Sequence, residues 1–84
     1  MKQADEIRNY CIDNYIKPTR IRGDKGVFIP VAEVHKNLHL SNGYPAVCAA
    51  LGSKTFEDDA NVRRIYVDGP LNGVSTVFSF MFNA

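Results

Sequence analysis

Phe28-Ile29-Pro30-Val31-Ala32-Glu33-Val34-His35-Lys36-Asn37-Leu38-His39-Leu40-Ser41 is the stretch whose reading decides the fold. With Val27 before it, Phe28-Ile29 makes a short apolar strand. Pro30 suits the first turn of a helix, where its missing N–H costs no hydrogen bond. Val31, Val34 and Leu38 then recur at steps of three and four, which is one face of a helix. The pattern breaks at His39-Leu40-Ser41-Asn42-Gly43, where Ser41 and Asn42 are good helix-capping side chains.

Working outward, Tyr44-Pro45-Ala46-Val47-Cys48-Ala49-Ala50-Leu51 reads as the next helix. Pro45 stands at its start, Val47, Cys48 and Leu51 form its apolar side, and Gly52 follows as a C-terminal cap. Residues 53–60 fit a short helical turn that carries Phe56 inward, and Thr55-x-x-Asp58 has capping-box form. The period then changes to two. Residues 62–67 and, more strongly, 74–82 read as strands joined by the turn-rich Asp68-Gly69-Pro70-Leu71-Asn72-Gly73. Val74, Thr76, Phe78, Phe80 and Phe82 share one face of the last strand. Val77 and Met81 make its other face partly apolar, and the first helix is the expected cover for it. That helix spans residues 2–16 on the stripe Ala4, Ile7, Cys11, Tyr15, broadened by Tyr10 and Ile12. Lys17-Pro18 is expected to end it, because proline disfavours the α region for its predecessor. Thr19-Arg20-Ile21-Arg22 is expected to be extended, and Gly23-Asp24-Lys25-Gly26 to turn.

The chain has 84 residues, 45% hydrophobic and 23% charged, with ten Lys and Arg against nine Asp and Glu. This is the arithmetic of one ordinary folded domain, taken as residues 1–84, and it excludes a disordered tail. A net charge of +1 excludes a polybasic binder or an acidic mimic. No apolar run approaches the roughly 18 residues of a membrane span, and the N-terminus lacks the apolar core of a signal peptide, so a cytoplasmic location is expected. The two cysteines, Cys11 and Cys48, sit within helical apolar patterns and read as small buried hydrophobes rather than a disulfide framework.

The deduced order is helix, strand, helix, helix, strand, loop, strand. With the segment 28–51 it resembles the winged helix-turn-helix superfamily. Glu33, Val34, Leu38, Leu40 and Ser41 match the usual helix-turn-helix opening. The resemblance implies an α+β fold: a three-helix core, a short strand and a C-terminal β-hairpin wing. It also implies double-stranded DNA as partner, in the role of a transcriptional regulator or mobile-element accessory factor. The chain departs from the pattern in having His39 where the turn usually has glycine, and in two extra residues before the third helix. That helix carries no charged or amide side chain.

Charge is unevenly placed. Lys17, Arg20, Arg22 and Lys25, opposed only by Asp24, give +3 over residues 17–25, whereas Glu57-Asp58-Asp59 gives −3. Arg63 and Arg64 open the penultimate strand. On a winged helix these basic groups would share one sheet, with Arg20, Arg22, Lys25, Lys54, Arg63 and Arg64 contacting phosphates. Ser41, Asn42, Tyr44 and Ser53 flank the third helix and would reach phosphates or base edges, while Ala46, Ala49 and Ala50 permit close approach. A second reading takes the uncharged third helix, the first helix with Tyr10 and Tyr15, and the aromatic last strand as surfaces for dimerisation or another protein partner. His35 and His39 have metal-binding spacing but lack further ligands, and no Gly-rich phosphate loop, nucleophile elbow or HExxH is present. A non-enzyme without metal, cofactor or small-molecule ligand is the expectation.

Overall fold

A computed structural model describes residues 2–40, 43–69 and 75–83. Its elements are α1 (Lys2–Cys11), a π-helical turn (Ile12–Ile16), α2 (Lys17–Arg22), β1 (Gly26–Pro30), α3 (Val31–Leu38), α4 (Tyr44–Leu51), α5 (Lys54–Ala60), β2 (Val62–Asp68) and β3 (Val77–Phe82). The strands form one antiparallel sheet in the order β1-β3-β2. The chain is therefore a small α+β domain.

The N-terminal helix does not stop at Pro18, and Thr19-Arg20-Ile21-Arg22 is helical rather than extended. A proline ring collides with the carbonyl four residues back in a regular α-helix. Here the turn before it is widened: the Lys17 N–H donates to the Ile12 carbonyl, five residues back. Pro18 then falls in the first turn of α2, where it is tolerated. The Thr19 hydroxyl donates to the Tyr15 carbonyl at 2.6 Å, adding a bond beside the proline. The extra residue shifts the buried stripe, which runs Ile7, Cys11, Ile16, Thr19, while Tyr15 stays half-buried. Gly23, at φ 91°, ends the run in a backbone state that other residues enter only at a cost.

Pro30 is extended and α3 starts directly after it, the Val31 N–H donating to the Thr76 carbonyl at 2.9 Å. The helix ends at His39, held left-handed at φ 51°, so the position expected to favour glycine does adopt the glycine conformation. The capping-box reading at Thr55 is corrected. Ser53 caps α5, its hydroxyl accepting the Phe56 N–H at 3.2 Å and donating to the Ala50 carbonyl at 2.8 Å.

Phe78 and Phe80 of β3, Val27 and Ile29 of β1 and Val62 of β2 bury the inner sheet face against Val31, Val34, Val47, Leu51 and Phe56 of the helices. The first helix does not cover the other face as expected: α1 lies against α4 and α3 instead. Phe28, Tyr66 and Met81 remain exposed there. Among the described residues, no helix is long and apolar enough to cross a membrane.

The left-handed His39 supplies a stability test. Left-handed backbone strains a residue with a Cβ, and glycine relieves it at the cost of a more flexible unfolded chain. His39→Gly is expected to raise unfolding stability by about 0.5 kcal/mol, read as a higher urea midpoint at constant slope.

Candidate nucleic-acid interface

The third helix of the sequence reading, α4, is mostly core. Val47, Cys48, Ala50 and Leu51 are buried, Tyr44 and Ala46 are half-buried, and Pro45 and Ala49 are exposed. Its stripe is wide because the helix packs on α1 on one side and α3 on another. Ala50 is therefore a packing residue and not a surface one. Tyr44 is half-buried with its ring 4.6 Å from that of His35. Ser41 and Asn42 lie outside the described residues.

A shallow groove of about 290 Å³ runs between the C-terminal end of α4 and the base of the β2–β3 connection, lined by Cys48, Gly52, Arg64, Val67, Gly69 and Phe78. Arg64 lies across it. One guanidinium nitrogen donates to the Gly52 carbonyl at 3.0 Å, and its own backbone N–H donates to Glu57 Oε2 at 2.8 Å. A Cβ at position 52 would stand 3.1 Å from that guanidinium nitrogen and 3.0 Å from the Cys48 carbonyl oxygen, so the glycine makes room for the arginine. Arg64 remains exposed and retains further N–H donors.

The remaining basic residues do not form the single expected stripe. Arg20 and Arg22 stand on α2 rather than on a strand. Arg20 donates to the Ala60 and Asn61 carbonyls at 2.8 and 3.1 Å and lies 4.7 Å over the Phe82 ring, tying α2 to the end of α5 and to β3. Arg22 pairs with Asp24 at 2.8 Å and Lys54 with Asp58 at 3.6 Å. Arg63 and Arg64 are neighbours on a strand and so project to opposite faces. Arg63 lies on the outer face beside Met81, donating to its sulfur at 3.5 Å. Lys25, next to Gly26 at the other edge of the sheet, is exposed. Ser53 is engaged in capping α5. The acidic run is partly absorbed as well, Glu57 by the Arg64 backbone and Asp58 by Lys54.

The groups singled out for dimerisation are also engaged. Tyr15 donates to Glu33, and the Tyr10 hydroxyl accepts from Asn37 at 2.8 Å, so both tyrosines fasten α1 and the π turn to α3. His39 lies past the end of α3 in a left-handed conformation, which removes the helical register that would have joined the two imidazoles, and the His35 ring packs at a tilt against Tyr44. Among the described residues, no three His, Cys, Asp or Glu side chains cluster as a metal site would need. Cys11 and Cys48 are free and buried, and burial pushes the Cys11 thiol up to about 12.

No family model, curated protein or solved structure matches the chain. The Arg64–Gly52 contact escaped the sequence reading, since it joins residues twelve apart through a helix cap and a strand. The glycine placed directly after an apolar helix was its one available signal.

Two outcomes follow from these contacts. Arg20→Ala should cost on the order of 2 kcal/mol in urea unfolding, because two carbonyls lose a charged donor and Phe82 loses its cover. Cys11 ionises near 9.0 when unfolded but only near 12 when folded. The folded state thus binds the proton more tightly, and stability should fall above pH 9 by up to about 1.4 kcal/mol per pH unit from this group. Denaturation at pH 8, 9.5 and 10.5 should show a shallower decline for Cys11→Ala than for the unaltered protein.

Proposed function

We propose that this chain is a winged-helix DNA-binding domain that engages the duplex through the groove between α4 and the β2–β3 hairpin. The observation that carries the reading is Arg64, held exposed in that groove by Gly52, between a helix end and a hairpin base. Support also comes from the architecture. An edge strand leads into two successive helices, a hairpin follows, and the sheet order is β1-β3-β2. This is the arrangement that the winged-helix resemblance implies, with α5 added before β2.

In this reading the small solvent side of α4, Pro45 and Ala49, lets the helix backbone approach the duplex closely and leaves thymine methyl contact to Ala49. Arg64 spends its remaining donors on a phosphate. Lys54 adds a second contact by exchanging Asp58 for phosphate, which costs little because an exposed ion pair contributes at most about 1 kcal/mol. The connection after Asp68 serves as the wing. Affinity is thus electrostatic and modest, with sequence preference carried mainly by shape.

The test is fluorescence anisotropy with a labelled duplex across a salt series. The expected result is micromolar binding with a log–log salt slope of roughly −2 to −3, fewer contacts than the full basic complement would give. Arg64→Gln with Lys54→Gln should make that slope shallower by about two units. Salt-independent binding, or binding that the double variant leaves intact, refutes the proposal.

A further inference from the structure

The outer face of the sheet is open and apolar. Phe28 is 71% exposed, Tyr66 61% and Met81 40%. Taking roughly 200 Å² for a large side chain, these three expose on the order of 350 Å², the size of the largest apolar patch on a typical monomer, which is often functional. The strand register orders this face into three rows. Phe28, Ser79 and Tyr66 lie across its middle, Gly26, Met81 and Arg63 across one end, and Pro30, Val77 and Asp68 across the other.

A bulge at Ile65, between Arg64 and Tyr66, decides what lies on this face. Without it Arg63 and Tyr66, three residues apart, would project to opposite sides. With it, Arg63, Tyr66 and Asp68 share the outer face. Arg63 and Asp68 pair with Met81 and Val77, two residues to either side of Ser79 on β3. The basic and acidic ends of β2 are therefore equidistant from the middle row, about 7 Å each way.

We propose that a second copy of this chain docks on this face, through a two-fold axis that lies between the sheets, perpendicular to the strands, over the Phe28–Ser79–Tyr66 row. That operation turns the strand direction around while keeping each strand opposite its own copy. Phe28 meets Phe28 and Tyr66 meets Tyr66 on the axis, Met81 meets Val77, and Arg63 meets Asp68 in two equivalent pairs. The charge pattern is self-complementary in this register. A two-fold parallel to the strands over β3 would instead lay β2 on β1, setting Arg63 against Gly26 and Asp68 against Pro30, so both charge pairs would be lost. Small Ser79, buried between its flanking aromatics, leaves the centre open for ring packing at the usual sheet spacing of about 10 Å. The apolar patch supplies about half of the ~800 Å² per partner of a standard interface, and the charged rim extends it, so a dissociation constant on the order of 10 μM is expected.

The test is sedimentation equilibrium without nucleic acid, which makes it independent of the DNA reading. Phe28→Ser should abolish association. Arg63→Asp and Asp68→Arg, both exposed substitutions on an edge strand, should each weaken it at least tenfold, with circular dichroism unchanged. Mixing these two single variants should regenerate a heterodimer, since each carries the complement of the other, and the double variant should recover association to within about threefold. The proposal is overturned by any of four results. These are a monomer at about 1 mM, a dimer indifferent to Phe28→Ser, charge reversals that mixing does not rescue, or a monomer whose Phe28 and Tyr66 instead quench on single-stranded oligonucleotide.

Discussion

The structure depends on the central strand β3 having only one face packed against the helices. It is hydrogen-bonded on both edges, so its backbone is satisfied within the sheet. Phe78 and Phe80 bring the largest apolar side chains of the domain to one side, and Phe56 packs its ring 5.1 Å from that of Phe80. On this side α3 packs against β1 and α5 against β2, and Val47 and Leu51 of α4 join the same core. In a chain this short little apolar surface remains for a second layer, and Phe28, Tyr66 and Met81 on the other face are left exposed. The open outer face is thus the complement of the core.

Charge follows the same economy. Among the described residues, four cations pair with a nearby carboxylate, and Arg20 and Arg64 serve helix ends. Helix C-termini present carbonyls without intrahelical partners, and a guanidinium with five donors can satisfy one or two of them while keeping its charge near the surface. In Arg20 this function is structural, since the guanidinium is also stacked on Phe82. In Arg64 the same kind of contact holds the side chain in a groove open to a ligand.

Much of the element order was legible in the sequence. Pro30 before Val31, Val34 and Leu38, the Pro45–Gly52 frame of α4, and the aromatic alternation of β3 are local signals, and local geometry obeyed them. The misread N-terminal helix lies where one residue was added to a regular period. The π turn before Pro18 moved burial from Tyr15 to Ile16, and Thr19 joined the buried stripe of α2. The bulge at Ile65, which no sequence expectation addressed, likewise set Arg63, Tyr66 and Asp68 on one face. A single inserted residue leaves composition and propensity unchanged, and its effect appears only after it, as a reversal of which side chains face in.

By itself, then, the sequence determined the α+β class, the helix pair after β1 and the aromatic strand at the core, because each rests on periodicity and turn chemistry within a few residues. Only the tertiary structure decided which cations remain available and which face stays open. Arg20 reaches carbonyls forty residues away, Arg64 a carbonyl twelve away, and α1 chose α4 over the outer sheet. Such choices follow from competition among all surfaces for the few partners a small domain has, and no local pattern records the outcome of that competition.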